Sequence, residues 1–161
     1  SSDLLCSQTD IIKIISDLPV QTSPGPDHIT SLLLKSTAHS ISFPLQHIFN
    51  LSISTGIFPS QWKLSLVTPI PKTNPPSSSP TDYRPISLLS LVSKVLERHI
   101  FSILLDHLFS NNLISDSQFG FLPQRSTTSA LINVSHHILS HLDCSTAVCG
   151  VFLDVKKAFD S

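Results

Sequence analysis

At 161 residues and 17.6 kDa the chain is long enough to bury a core of its own or to form part of a larger domain. Charged residues make up only 13% and 29 positions are serine, yet 40% of residues are hydrophobic and the mean hydropathy is +0.22, which excludes a highly charged disordered chain. A formal net charge of −1 and a pI of 6.7 exclude a globally basic nucleic-acid coat or a polybasic membrane tail, so any phosphate binding must come from local clusters.

Three cysteines, Cys6, Cys144 and Cys149, form no CxxC pair and leave one over, so reduced thiols are expected rather than a disulfide framework. No run approaches the ~18 apolar residues of a membrane span, and the N-terminus lacks the basic and apolar regions of a signal peptide. A soluble intracellular protein is the expectation. The chain has no methionine and stops at Phe159-Asp160-Ser161, just after an apolar run with no turn or cap to close it. Both ends read as cut from something longer.

In chain order, Ile11, Ile12, Ile14, Ile15 and Leu18 predict a short amphipathic helix capped by Thr9 or Asp10 and ended by Pro19. After the breaker cluster Thr22 to Asp27, two helices are expected, about Asp27 to Thr37 and Pro44 to Ser54, the second entered through a proline in its first turn and closed near Gly56. The stretch Trp62 to Lys72 alternates as a strand up to Thr68, its prolines restricting it to an edge. Asn74 to Thr81, rich in proline and serine, predicts an exposed loop tip. Apolar residues from Leu88/Leu89 to Leu108 recur at helical spacing, with Lys94, Glu97 and Arg98 on the other side, and Asn111-Asn112 ends that helix. A further helix is expected from about Thr127 to Leu142. The apolar run Ala147 to Val155 predicts a central strand buried on both faces, with the single carboxylate Asp154 near its end.

Three sets of residues carry possible chemistry. A carboxylate at the end of a buried strand must be paired or hold a cation, so Asp154 is either a turn cap or ion-pair partner, with Lys156 and Lys157 nearby, or a metal ligand. Lys72 and Arg84 flank the proline-serine loop; they are either two solvated cations or, if the loop is the tip of a hairpin, a fork and a point charge aimed at one polyphosphate. His137 and His141 stand at i, i+4 with Cys144 and Cys149 downstream. No acid lies between the histidines as HExxH requires, and no CxxC is present, so they read as a helix face and zinc is not expected.

Taken in order, Ser23-Pro24-Gly25-Pro26-Asp27-His28-Ile29, Pro59-Ser60-Gln61-Trp62-Lys63, Val67 to Lys72, Asp82-Tyr83-Arg84-Pro85-Ile86-Ser87-Leu88-Leu89, Gln118-Phe119-Gly120-Phe121 with Ser126-Thr127, and Phe152-Leu153-Asp154 with Lys157-Ala158-Phe159-Asp160 resemble the reverse transcriptase of non-LTR (LINE-type) retrotransposons. Each fragment alone is weak; six in the family's order span nearly the whole chain from Ser23.

The resemblance implies an α/β chain in the helix-rich α+β sense: the fingers subdomain of a right-hand polymerase and, incomplete, the first palm strand. Residues 1–22 would be a helical lead-in, 23–146 the fingers region and 147–161 the start of the palm. It implies that Asp154 binds Mg²⁺, two ions serving the intact enzyme with Mn²⁺ as a substitute, because hard cations take carboxylate oxygens. It implies that Lys72 and Arg84 close over the triphosphate of the incoming dNTP, and that Phe159 lies beneath its sugar and excludes a 2′ hydroxyl. Gln118, Gly120 and Phe121, with Arg125, would face the nucleic acid. The implied partners are an RNA template, a DNA primer and dNTPs, with no membrane, and target-primed integration implies a nuclear site of action.

Leu122 departs from the arginine that many relatives carry after Gly-Phe, and Lys157 stands where the retroviral branch has a second acid. The family's Tyr/Phe-x-Asp-Asp motif is not among the 161 residues. One carboxylate cannot hold two metals, so the chain by itself is expected to be inactive as a polymerase. A strand without its sheet partners also predicts poor solubility or partial disorder. The rival expectation is a non-enzymatic relic or nucleic-acid-binding remnant of a decayed element, using Lys72, Arg84, Arg98 and Arg125.

Overall fold

The computed structural model of the chain describes residues 4–76 and 78–155. The chain divides into two compact units, Ser1–Asn111 and Asn112–Ser161. It is mixed helix and strand, in keeping with the expected fold class. Among the described residues, no helix is long and apolar enough to cross a membrane.

The first unit is built on three helices. Helix α1 (Gln8–Ser16) begins at Ser7, where a capping box forms: Asp10 N donates to Ser7 Oγ at 3.2 Å, and Ser7 N donates to Asp10 Oδ2 at 2.9 Å. The cap is therefore Ser7, not Thr9 or Asp10. Ser7 is the residue whose hydroxyl can reach the third helical amide while an acid three positions on reaches back. Ile11 and Ile15, one turn apart, turn inward from α1 with no exposed surface.

Helix α2 (Ser31–Thr55) is one continuous element with Pro44 inside it, where two helices were expected. An interior proline removes one hydrogen bond and costs about 3 kcal/mol or more. Leu34 and Ala38 before it, and Leu45 and Phe49 after it, all lie buried on one stripe. Each large apolar side chain so buried contributes roughly 1.5–3 kcal/mol, so packing on both sides of Pro44 outweighs the break. Thr30 caps the start by accepting from Leu33 N at 3.2 Å, and Gly56 ends the helix at φ +67°, a left-handed conformation suited to glycine. Trp62 then sits edge-to-face against Phe49 and Phe58, with ring centroids 5.8 and 5.7 Å away. It belongs to a tight 3₁₀ turn, Ser60–Lys63, rather than to the strand that follows.

Strands β1 (Ser65–Pro71) and β2 (Tyr83–Leu89) pair antiparallel, Ser65 opposite Leu89 and Pro71 opposite Tyr83. Leu88 and Leu89, which share the helical spacing of the residues after them, are strand. Lys72 N donates to Asp82 O at 2.8 Å and so continues the ladder by one bond. Hydrogen-bonded and non-bonded pairs alternate along such a ladder, which places Pro69, Pro71 and Pro85 at non-bonded positions whose nitrogens point away from the partner. Three prolines thus fit the ribbon without losing a ladder bond, and they carry β1 past the expected end at Thr68. They also remove two of the four outward donors of β1 and one of the four of β2, which disfavours a third strand, most of all beside β1.

Helix α3 (Leu91–Ser110) starts at Ser90, whose Oγ accepts from Val92 N at 3.2 Å. Its buried residues, Leu91, Val92, Ser93, Val95, Leu96 and His99, are confined to its first half. Leu91, Val92, Val95 and Leu96 form the hydrophobic core together with Cys6, Ile11, Ile15 and Leu18 and the α2 stripe. Gly25 lies against the β2–α3 junction so closely that a Cβ there would meet Leu89 C and Ser90 N at 2.5 Å. Beside it, Ser90 Oγ donates to Asp27 Oδ2 at 2.5 Å, and Asp27 Oδ1 accepts from Ile29 N at 3.2 Å.

In the second unit, α4 (Thr127–Asp143) starts in a second capping box, Ser126 with Ser129. Residues 147–155 do not form the expected strand. They carry no ladder, and Val151, Phe152, Leu153 and Val155 are exposed. An apolar run becomes a central strand only when neighbouring strands satisfy its backbone. Among the described residues the one sheet is the β1–β2 ribbon, which this run does not join. Lys156, Lys157 and Phe159 lie outside the described residues.

Gly25→Ala should lower the stability of the first unit by about 2–3 kcal/mol, because backbone must move to admit one methyl group, whereas Gly120→Ala, with open space around it, should change little. Urea unfolding followed by circular dichroism measures both. Hydrogen bonds from the Ser7 side chain and then its backbone hold the Asp10 carboxyl below its ordinary 3.8, so the stabilisation is present above that pH and is lost as pH falls through the lower folded value. Asp10→Asn should remove this part of the acid dependence of the melting temperature.

Candidate functional site

The ladder decides where Lys72 and Arg84 stand. Residues directly opposite one another, and residues two apart along a strand, share a face. Arg84 is opposite Ile70, and Lys72 follows Ile70 by two, so both cations stand on one face of the ribbon as diagonal neighbours. The loop between the strands is thus the tip of a hairpin. Lys72 Nζ donates to Thr81 O at 2.6 Å, while Arg84 is exposed. Asp82, opposite Lys72, ends a 3₁₀ turn, Pro80–Asp82, in which its amide donates to the Ser79 carbonyl at 3.1 Å.

Gln118, Gly120, Phe121 and Arg125 are gathered in one turn before α4. The Arg125 guanidinium donates through Nη1 to the carbonyls of Asp116 and, at 2.7 Å, of Gln118. It also lies 5.5 Å from the centroid of the Phe119 ring and 3.7 Å from Asp116 Oδ1. Arg125 therefore ties the turn shut from inside. Phe121 is 98% exposed and holds φ at +60°, and Gln124 is also left-handed at +61°. Such backbone is uncommon for a bulky residue, and an aromatic ring presented to solvent on it is not core packing.

Asp154 is exposed, and no described residue bonds or pairs with it. The buried strand end expected for it is absent, yet a carboxylate with both oxygens open suits a hard divalent cation as one ligand of several. Phe159 lies outside the described residues. Arg98, the remaining cation of the rival expectation, is on the exposed side of α3 with Lys94, Glu97 and Phe101 around an open depression of about 550 Å³. The His137 and His141 rings lie tilted at 49° with centroids 4.4 Å apart, and His141 Nδ1 donates to the His137 carbonyl at 2.8 Å, as befits neighbours on a helix face.

Sequence reasoning missed a third grouping. Cys6, Asp10 and His99 bring one potential ligand atom each within 4.8 Å of one another, the one convergence of three such groups among the described residues. Burial, with the Asp10 carboxylate beside it, pushes the Cys6 thiol up to about 12. The Ser-x-x-Asp capping pattern at Ser7 marks Asp10 in the sequence; nothing local marks His99, which is 89 positions further on.

The family described as "Reverse transcriptase (RNA-dependent DNA polymerase)" matches residues 70–161, more than half of the chain and the part that holds every one of these expected site residues. The chain belongs to the reverse transcriptase family. It is similar to the "Probable RNA-directed DNA polymerase from transposon BS" of Drosophila melanogaster, 36% identical over 151 residues that cover 94% of this chain and 17% of that protein. It is also similar to the "RNA-directed DNA polymerase from mobile element jockey" of the same species, at 31% over 94% of this chain and 16% of the relative. A third relative, the "Retrovirus-related Pol polyprotein from type-1 retrotransposable element R1" of Bradysia coprophila, is 32% identical over 88% of this chain and 14% of its own length. The chain thus spans about one sixth of the length of these curated relatives. They bear out the resemblance carried by the motif order.

Arg125→Ala should leave α4 in place but untie the turn, since hydrogen bonds to a charged donor contribute about 1.5–3 kcal/mol each when formed. Amide exchange of residues 116–121, read by mass spectrometry, should quicken at least about tenfold, with the first unit unchanged.

Proposed function

We propose that this chain supplies the fingers region and the start of the palm of an RNA-directed DNA polymerase, which in complete form extends a DNA primer on an RNA template from dNTPs. What supports this most directly is the register that sets Lys72 and Arg84 on one face of an exposed hairpin within the segment the family matches. Arg84 offers a planar fork to two phosphate oxygens, and Lys72 adds a compact charge once its ammonium leaves the Thr81 carbonyl. Phe121 offers a ring on which a template base stacks, a contact that tolerates any sequence. Arg125 acts on that contact indirectly, by holding the turn.

Asp154 would hold a divalent cation, Mg²⁺ by the hardness of its donor, and Phe159 would police the sugar. When bound, the ions of a two-metal site lower the pKa of the primer 3′ hydroxyl and neutralise the departing pyrophosphate. A single carboxylate is a partial shell, and no Asp-Asp pair occurs in the 161 residues, so the chain alone should not polymerise.

In a polypeptide that carries this chain within a complete polymerase domain, Asp154→Asn should reduce Mg²⁺-dependent primer extension on RNA by at least about 100-fold, as loss of a metal-ligating charge implies. Arg84→Ala should raise the dNTP KM about 10- to 100-fold, the worth of one charged hydrogen bond. Undiminished extension by Asp154→Asn overturns the assignment of that residue. Robust dNTP incorporation by the 161-residue chain alone overturns its predicted inactivity.

A further inference from the structure

Cys6 is placed with unusual care for a residue in a lead-in segment. Its amide donates to Asn50 Oδ1 at 2.7 Å, and its carbonyl accepts from Asn50 Nδ2 at 3.0 Å and from Gln46 Nε2 at 3.1 Å. Two amide side chains of α2 thus clamp the backbone of this one residue, which is 2% exposed. Such a clamp fixes a ligand before anything binds, as a preorganised site requires.

The two groups that converge on the thiol are oriented as well. Both bonds that Asp10 accepts from Ser7 fall on Oδ2, and Oδ1 takes none from a described residue. His99, 6% exposed, has its Nε2 3.1 Å from the Leu4 carbonyl, an atom that can only accept. The ring therefore donates from Nε2 and, when neutral, keeps its lone pair on Nδ1. Metal-ligating histidines characteristically donate their second N–H to a carbonyl or carboxylate in this way.

We infer that Cys6, Asp10 and His99 form a zinc site that ties the start of α1 to α3. The donor set is one sulfur, one imidazole nitrogen and one carboxylate oxygen, a mixture that suits borderline-soft Zn²⁺ and not Mg²⁺ or Ca²⁺, which take oxygen. Tetrahedral coordination with bonds of about 2.0–2.3 Å sets donor separations of roughly 3.5 Å. One sulfur, one imidazole nitrogen and one carboxylate oxygen lie within 4.8 Å of one another, little more than 1 Å beyond that spacing. Asp10 is the least buried of the three and marks the side on which the ion and a fourth ligand, water, enter. On binding, the Cys6 S–H bond breaks, the sulfur keeps the electron pair and donates it to the metal, and the proton passes to solvent. The site is remote in sequence from Asp154 and does not depend on the proposed polymerase role.

The test uses the full chain with Cys144→Ser and Cys149→Ser, two exposed positions whose replacement leaves the core intact. Titration with Co²⁺ as a spectroscopic stand-in should give one equivalent of binding with a near-ultraviolet thiolate-to-metal band, which Zn²⁺ displaces with release of a proton. Zn²⁺ should also raise the melting temperature. Adding Cys6→Ser should abolish the band, and His99→Gln or Asp10→Asn should weaken binding at least tenfold while circular dichroism reports the native fold. Absence of a thiolate band in the Cys144→Ser/Cys149→Ser chain overturns the site, and so does a band that survives Cys6→Ser. Because that parent variant keeps Cys6, Asp10 and His99, a folding defect in the later variants does not shield the inference.

Discussion

The contact between the Pro24–Asp27 segment and the junction of β2 with α3 is the constraint on which the first unit turns. Gly25 lies backbone to backbone against Leu89 and Ser90, and Asp27 takes the Ser90 hydroxyl in a 2.5 Å bond. Ser90 is at once the last residue before α3 and the acceptor for Val92 N. Holding it therefore sets three things together: where the ribbon ends, where α3 begins, and which residues of α3 enter the core. Since the ladder runs in unbroken register from Leu89 back to Tyr83, the anchor also dictates the face on which Arg84 and Lys72 emerge. Glycine is needed here for lack of a Cβ, a packing reason rather than a conformational one.

The ribbon beyond this anchor shows how composition can shape an interface by exclusion. Every residue of β1 is exposed, and an open two-stranded ribbon invites further strands. Pro69 and Pro71 weaken that invitation along the outer edge of β1, and Pro85 at one position of β2, while leaving the inner ladder whole. What remains available on the ribbon is its faces, and one of them carries the two cations. The same proline-rich pattern that reads as a broken strand in one dimension is therefore compatible with a complete hairpin in three.

The second unit makes the opposite point. Helix α4 has the apolar spacing of a packed helix, yet Leu131, Ile132, Leu139 and Leu142 are more than half exposed and none of its residues is buried. The run from Ala147 to Val155 has the composition of a buried strand and remains unpaired. Helices satisfy their own backbone and so form from local signals; strands do not, and Asp154 follows the strand. Its exposure reflects the lack of a partner sheet among the described residues, which no local pattern reveals.

Much was legible because it is local. Helices α1, α3 and α4 follow from apolar spacing to within a few residues, and β1 follows from one alternating run before a proline-serine loop; β2, Tyr83–Leu89, is not marked by the sequence, which joins Leu88 and Leu89 to the helix after them. The motif order alone identified the reverse transcriptase family and so Lys72, Arg84 and Asp154 as residues to watch. Other features depend on distant partners. Packing of Leu34, Ala38, Leu45 and Phe49 carries α2 through Pro44, and the tertiary clamp from α2 places Cys6 beside Asp10, with His99 arriving from α3. Arg125, which the sequence offers as a nucleic-acid contact, is folded back onto its own turn. The sequence by itself determined the family, helices α1, α3 and α4 and the cations; the tertiary structure decided the continuity of α2 and the faces and partners of the rest, because burial and pairing are settled between residues far apart in the chain.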